Sequence, residues 1–310
     1  MKKTIKNSGF KDWKPDQLED LAGKIYLITG GNTGIGLQAA KMLAEKNADI
    51  VIACRNPQKA QAAMQEIQPL GTGKVETVTL DLSKLSSVRS AAEEIKQRYA
   101  KLDALINNAG VMQTPETRTE DEFELQIATN HLGHFLLTGL LFDLVEKAKG
   151  RIVVVSSIAH KFGKINFEDI MLEKDYTPSK AYTQSKLANL MFMLELDRRL
   201  QSSNSSVTTI GCHPGYSNTD LQSTGPKGLL NFIYKFSNTT IAQPSYNGAI
   251  PTVLCAAGKE AIAGAYYGPK AFGEMRGRIS DADVRFLARN EAKAKKLWEV
   301  SEELVNFKWL

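Results

Sequence analysis

The chain has 310 residues, 43% hydrophobic and 24% charged, with 39 basic and 34 acidic residues for a net charge of +5. That is an ordinary globular composition, long enough for one large α/β domain, and its basic residues form neither a run nor an aromatic-interleaved platform, which speaks against nucleic acid. Cys54, Cys212 and Cys255 make no paired framework or metal spacing, and no stretch is long and apolar enough for a bilayer span or a signal peptide, so a cytoplasmic protein is expected.

Residues 1–22 read as an arm whose Trp13 and Leu18 pack on the domain of residues 23–310. An apolar strand from Ile25 to Thr29 runs into Gly30-Gly31-Asn32-Thr33-Gly34-Ile35-Gly36 and then into a helical pattern. Such a turn can cradle a pyrophosphate: Gly30 allows the tight turn, Gly34 the close backbone approach and Gly36 the contact of helix with strand, while the helix N-terminus faces the anion. Strands follow at 50–54, 75–80, 104–107, 152–156 and 207–212, with helices near 57–68, 84–99, 120–147 and 181–200 between them. The alternation predicts a single doubly wound parallel sheet of about seven strands with helices on both faces. Residues 221–245 break the rhythm and read as an inserted substrate lobe, and a charged helix is expected over about 280–304.

At the end of the second strand, where a carboxylate would hold an unphosphorylated ribose, the chain has Cys54 and then Arg55. A guanidinium there fits a 2′-phosphate, which points to NADP(H). Asp81, with Leu82 beside it, is placed to reach the adenine edge or to cap the helix near 84.

Tyrosine with lysine four residues on occurs three times, as Tyr176 and Lys180, Tyr182 and Lys186, and Tyr266 and Lys270. Pro178 interrupts the first pair, and Gly268 with Pro269 the third, so only Tyr182 and Lys186 are expected to share a helical face. An ammonium beside a phenol of ordinary pKa about 10 favours the phenolate, and so lets Tyr182 exchange a proton with a substrate oxygen.

Thr29-Gly30-x-x-x-Gly34-x-Gly36, Asn107-Asn108-Ala109-Gly110, Asn130, Ser157, Tyr182-x-x-x-Lys186 and Pro214-Gly215 together resemble the short-chain dehydrogenase/reductase family over about residues 20–270. The resemblance implies that Tyr182 is the general acid, Lys186 assists it and holds the nicotinamide ribose, Ser157 orients the substrate carbonyl and Asn130 holds a relay water. It also implies that Asn107 to Gly110 secure the fourth strand beside the cofactor, with Asn108, Ala109 and Gly110 touching it, and that Pro214, Gly215 and Thr219 meet the carboxamide. Ser156 competes with Ser157, and strand alternation lets only one face the cofactor; the pattern ending in His160 favours Ser157. The Ser157–Tyr182 spacing, Cys54-Arg55-Asn56 and His213-Pro214-Gly215-Tyr216 look like the branch of retinol dehydrogenases, WW-domain oxidoreductases and protochlorophyllide reductases.

His131 and His134 share a helical face without a completed ligand set, so they read as core or surface residues and no metal is expected. Leu229, Phe232, Ile233 and Phe236, flanked by Lys227 and Lys235, form a stripe suited to lining an apolar pocket, with membrane contact or core filling as the alternatives. The expectation is an NADPH-dependent reductase of an apolar ketone or aldehyde, reversible as an alcohol dehydrogenase; a silent NADP-binding scaffold is the competing reading. Family members often pair through the helices carrying Asn130 and Tyr182, which makes a homodimer one expectation.

Overall fold

A computed structural model of the chain describes residues 4–216 and 243–310. The predicted strands appear as β1 (Ile25–Thr29), β2 (Asp49–Cys54), β3 (Val75–Thr79), β4 (Ala104–Asn107), β5 (Arg151–Val155) and β6 (Thr208–Cys212), joined by β7 (Tyr266–Ala271) and β8 (Arg276–Asp281). They form one eight-stranded sheet in the order β3-β2-β1-β4-β5-β6-β7-β8. Every neighbouring pair is parallel except β7 with β8, an antiparallel hairpin. The order reverses direction between β1 and β4, and the carboxyl ends of the strands at such a reversal are where doubly wound sheets take their ligands.

Period-two alternation divides the strands between two cores. Leu27, Val51, Leu105 and Ile152 pack under α3 (Leu85–Arg98), α5 (Gly133–Lys147), α6 (Pro178–Ser202) and α8 (Glu291–Leu304). Ile28, Ile50, Ile52 and Ile106 face α1 (Gly34–Ala44), α2 (Pro57–Ile67) and α7 (Ser245–Ala257) on the other side. The second core also takes Trp13, Leu18 and Leu21 from the N-terminal arm, and the Trp13 Nε1 donates to Glu260 at 2.8 Å.

Three expectations are corrected. The sheet has an eighth strand where the chain after 276 was expected to approach a helix, because β7 turns back through Phe272, Gly273 and Glu274, all at positive φ; the C-terminal helix starts at Glu291 instead of 280. The helix expected over 120–147 begins at Leu125, with Glu124 capping it through the Gln126 and Ile127 amides, both at 2.8 Å. That short helix, α4 (Leu125–Ile127), passes through a π turn at Ala128–Leu132 into α5. The helix α6 that carries Tyr182 and Lys186 starts three residues before 181, with Pro178 in its first turn and Thr177 capping it, since proline costs no hydrogen bond there. Of the lobe expected at 221–245, only residues 243–245 are described, and Ser245 already opens α7; Thr219 and the stripe from Leu229 to Phe236 lie outside the described residues.

Candidate active site

The glycine turn has the backbone that its sequence demands. Gly30 and Gly34 sit at φ +66° and +54°, and a Cβ on Gly36 would lie 2.3 Å from the Gly30 carbonyl oxygen and 2.5 Å from the Asn108 Nδ2. No side chain fits there. Asn32 and Thr33 complete the half-buried turn, Thr33 precedes α1, and Gly34, Ile35 and Gly36 form its first turn, whose amides have no partner within the helix. Backbone stripped of side chains and ending on a helix N-terminus is a cradle for a pyrophosphate, so these residues fit a dinucleotide.

A buried chain of hydrogen bonds ties this turn to Asn130. The Thr29 Oγ1 accepts the amides of Asn108 at 2.9 Å and Ala109 at 3.0 Å, and lies 2.8 Å from the His134 Nε2. Burial pushes His134 down to about 4, so the ring is neutral. Its Nδ1 is 3.0 Å from the Asn130 carbonyl oxygen, which can only accept; Nδ1 therefore carries the proton, and the Thr29 hydroxyl can donate to Nε2. The Asn130 side chain is committed to the protein. Its Oδ1 accepts the Val111 amide at 2.8 Å, and its Nδ2 donates to the Val111 carbonyl at 2.9 Å and to the Ser185 Oγ at 2.8 Å. Asn130 thus fastens the chain after Gly110 to α6.

On α6, Tyr182 is half-buried and Lys186 follows one turn later, 4% exposed. The Lys186 Nζ donates to the Val155 carbonyl at 3.3 Å and would stand 3.5 Å from a Cβ on Gly110, which puts the ammonium between the ends of β4 and β5. Burial lowers its pKa from 10.5 to about 8. Ser156 and Ser157 part as alternation requires. The Ser156 Oγ donates to the Lys186 carbonyl at 2.6 Å, whereas Ser157 is half-buried and caps a 3-10 turn through the Ala159 amide at 3.1 Å. Lys186 and Ser157 thus both lie at the carboxyl end of β5, and Tyr182 precedes Lys186 by one turn of α6.

A family model of the short chain dehydrogenases matches residues 24–228. The chain belongs to that family. Among curated relatives, human retinol dehydrogenase 11 is 40% identical over 292 residues, covering 92% of this chain and 86% of that protein. Human retinol dehydrogenase 12 is 39% identical over 296 residues, covering 93% and 88%. Among solved structures, an uncharacterised protein from Mycobacterium paratuberculosis superposes with a TM-score of 0.81 at 36% identity, covering 96% of this chain and 99% of that one. A short chain dehydrogenase from Burkholderia cenocepacia in complex with NADP shares the fold, with a TM-score of 0.62 at 24% identity over 80% of this chain and 96% of that one. The chain is therefore an oxidoreductase of the retinol dehydrogenase branch, and no described helix is long and apolar enough to cross a membrane.

The other site candidates of this short-chain dehydrogenase also lie at strand ends. Arg55 follows β2 exposed, and burial pushes the thiol of Cys54 beside it up. The Asp81 Oδ1 accepts from the Ser83 amide at 3.0 Å and hydroxyl at 2.6 Å, closing the turn before α3, while Leu82 is buried in the core. Gly215, at φ +72°, leaves no room for a Cβ, which would lie 2.3 Å from the Met275 carbonyl oxygen; the Pro214 carbonyl accepts from the Gln243 Nε2 at 2.6 Å. Sequence reasoning missed the organising role of Thr29, whose only signal was its place before Gly30, and that of His160. The His160 Nδ1 donates to the Ser157 carbonyl at 2.6 Å, and its Nε2 accepts the Arg285 amide at 3.4 Å. Nothing in the sequence pairs residues 125 positions apart.

Proposed function

We propose that this enzyme uses NADPH to reduce an apolar ketone or aldehyde, and catalyses the reverse alcohol oxidation. The observation that carries the reading is the buried ammonium of Lys186, one helical turn from Tyr182 and lodged between Gly110 and the Val155 carbonyl. Placing a cation in so dry a position costs stability, and its return is electrostatic work at the site. The bound nicotinamide supplies the hydride to the carbonyl carbon.

Tyr182 donates its phenolic proton to the substrate oxygen, and the Lys186 cation stabilises the phenolate left behind. Ser157 holds the same oxygen through its hydroxyl. Asn130 acts as a positioning residue that keeps the Val111 segment against α6. Gly30, Asn32, Thr33, Gly34, Ile35 and Gly36 hold the pyrophosphate, Asn108, Ala109 and Gly110 flank the cofactor, and Asp81 and Leu82 lie toward the adenine. Pro214, Gly215 and Thr219 serve the carboxamide. Arg55, exposed immediately after Cys54, which stands where a ribose-binding carboxylate would otherwise be, supports the preference for a 2′-phosphate. The retinol dehydrogenase names of the relatives and the NADP held by the Burkholderia protein support the same substrate and cofactor class.

The test follows NADPH absorbance against ketones, aldehydes and quinones. Tyr182→Phe is expected to lose turnover while still binding NADPH, since the ring remains and only the proton-donating hydroxyl is removed. Undiminished turnover in the folded variant would refute the assignment.

A further inference from the structure

The β7–β8 hairpin reaches back over the site with a buried carboxylate at its tip. Glu274 is 4% exposed and held at φ +70°, a conformation that strains a residue with a Cβ. Its Oε2 accepts from the Lys161 Nζ at 2.6 Å. Its Oε1 accepts from the Lys270 Nζ at 3.2 Å and the Asp283 amide at 2.8 Å. The His213 Nε2 stands 3.6 Å from Oε2, an electrostatic contact beyond hydrogen-bond length. Burial alone would push the Glu274 carboxyl up, but His213 and the Lys161 ammonium outweigh it and hold the pKa well below the ordinary carboxylate range.

These contacts reach two different parts of the site. Lys161 belongs to the 3-10 turn Ile158–Phe162 that Ser157 caps, and His160 in the same turn holds the Ser157 carbonyl. His213 opens the Pro214–Gly215 turn, and the residue after Glu274 secures that turn too, because the Met275 carbonyl accepts the Tyr216 amide at 2.8 Å. Gly268 makes the approach possible: a Cβ there would lie 2.1 Å from the His213 Nε2. Solvation cannot explain the arrangement, since a surface glutamate would need neither the strained φ nor the burial.

We propose that Glu274 is a positioning residue that clips the Ser157–Gly163 turn to the His213–Gly215 turn, so that the substrate-carbonyl side and the nicotinamide side of the site keep one spacing. The proposal rests on the reading of Ser157 as the residue that holds the substrate oxygen. A carboxylate suits the task because its charge holds the Lys161 ammonium and attracts the His213 Nε2 proton, which faces it because Nδ1 accepts the Gly215 amide at 3.2 Å, whereas an amide has no charge to hold either turn.

Amide hydrogen exchange on the full-length protein, read by mass spectrometry alongside NADPH kinetics, tests the clip. In Glu274→Gln, exchange in segments 156–164 and 212–216 is expected to quicken together by about tenfold, the loss of a modest stabilising contact. Turnover should fall by about tenfold or more, with the KM for NADPH moving less than about threefold. In Lys161→Met, only segment 156–164 should loosen, and this variant carries the test if Glu274→Gln does not fold. Exchange that quickens in one segment or neither in Glu274→Gln, or in both in Lys161→Met, overturns the clip. Ser157→Ala separates the two readings: full turnover in that variant would refute the serine role while the exchange results still judge the clip.

Discussion

Replacing Lys186 with Met should make the protein more stable while abolishing its turnover. Lys186 is 4% exposed, and the only described hydrogen bond of its ammonium is a long one, 3.3 Å, to the Val155 carbonyl. That carbonyl also accepts from the Asn189 Nδ2 at 3.3 Å, so removing the lysine leaves no orphaned oxygen. Methionine is unbranched and of nearly the same length, so it can fill the buried space of the stem. Burial lowers the lysine from 10.5 to about 8. At about 1.4 kcal/mol per pKa unit, the folded protein gives up roughly 3 kcal/mol to keep that charge near neutral pH. The direction with pH follows from proton counts: between about 8 and 10.5 the unfolded chain holds more protons at this site than the folded one, so parent stability rises through that window. Below it the penalty is constant. Urea unfolding of the cofactor-free protein should therefore show Lys186→Met more stable than the parent by roughly 2–3 kcal/mol near neutral pH, with the gap closing toward pH 10.5. A less stable variant, or a gap that ignores pH, would show that the ammonium is not buried as described.

Three further outcomes are expected. Arg55→Asp should move cofactor preference toward NADH by about 10- to 100-fold in kcat/KM, the worth of a charge-assisted phosphate contact; unchanged NADPH preference would remove Arg55 from the 2′-phosphate site. Gly36→Ala puts a methyl 2.3 Å from the Gly30 carbonyl oxygen, so it should cost about 1–3 kcal/mol or more in thermal unfolding and weaken NADPH binding together with it. Trp13→Ala empties a site only 1% exposed and frees the Glu260 carboxylate, so a loss of about 3–5 kcal/mol in urea unfolding is expected; a loss below 1 kcal/mol would make the arm an accessory to the fold.

The features legible in the sequence are those written in local periodicity. Strands buried on both faces read as short apolar runs, and β1 to β6 emerged within a residue or two of their ends for that reason. The glycine turn was legible because positive φ and lack of room for a Cβ leave one residue type. The Tyr182 and Lys186 pair was legible because four residues make one helical turn, and proline or glycine removed its rivals. β8 was not legible: Arg276–Asp281 is a mostly exposed edge strand, with only Ile279 and Asp281 buried, so it lacks an apolar run. The same blindness hid Glu274. Its partners Lys161 and His213 lie far away in sequence, and an isolated glutamate near a hairpin looks like solvated surface until the fold encloses it.

The cost of burying Lys186 also bears on the Asn107–Gly110 motif, which the sequence reads as securing the fourth strand beside the cofactor. A Cβ at Gly110 would lie 3.0 Å from the Asn130 Oδ1 and 3.5 Å from the Lys186 Nζ, so a side chain there would press directly on the amide that holds Val111 and come into contact with the ammonium. Asn108 and Ala109 are pinned by Thr29, which fixes where Gly110 falls, and Thr29 is itself linked through His134 to Asn130. The glycine turn, the end of β4 and the π turn carrying Asn130 therefore form one circuit, closed through the chain from Ala109 to Val111, and the Asn130–Ser185 bond ties it to α6. A charge worth roughly 3 kcal/mol of destabilisation can persist in such a place because the surrounding groups are already satisfied and cannot collapse onto it. Breaking the circuit at Thr29, far from the substrate, should then loosen the seat of Lys186 without touching any atom of Tyr182.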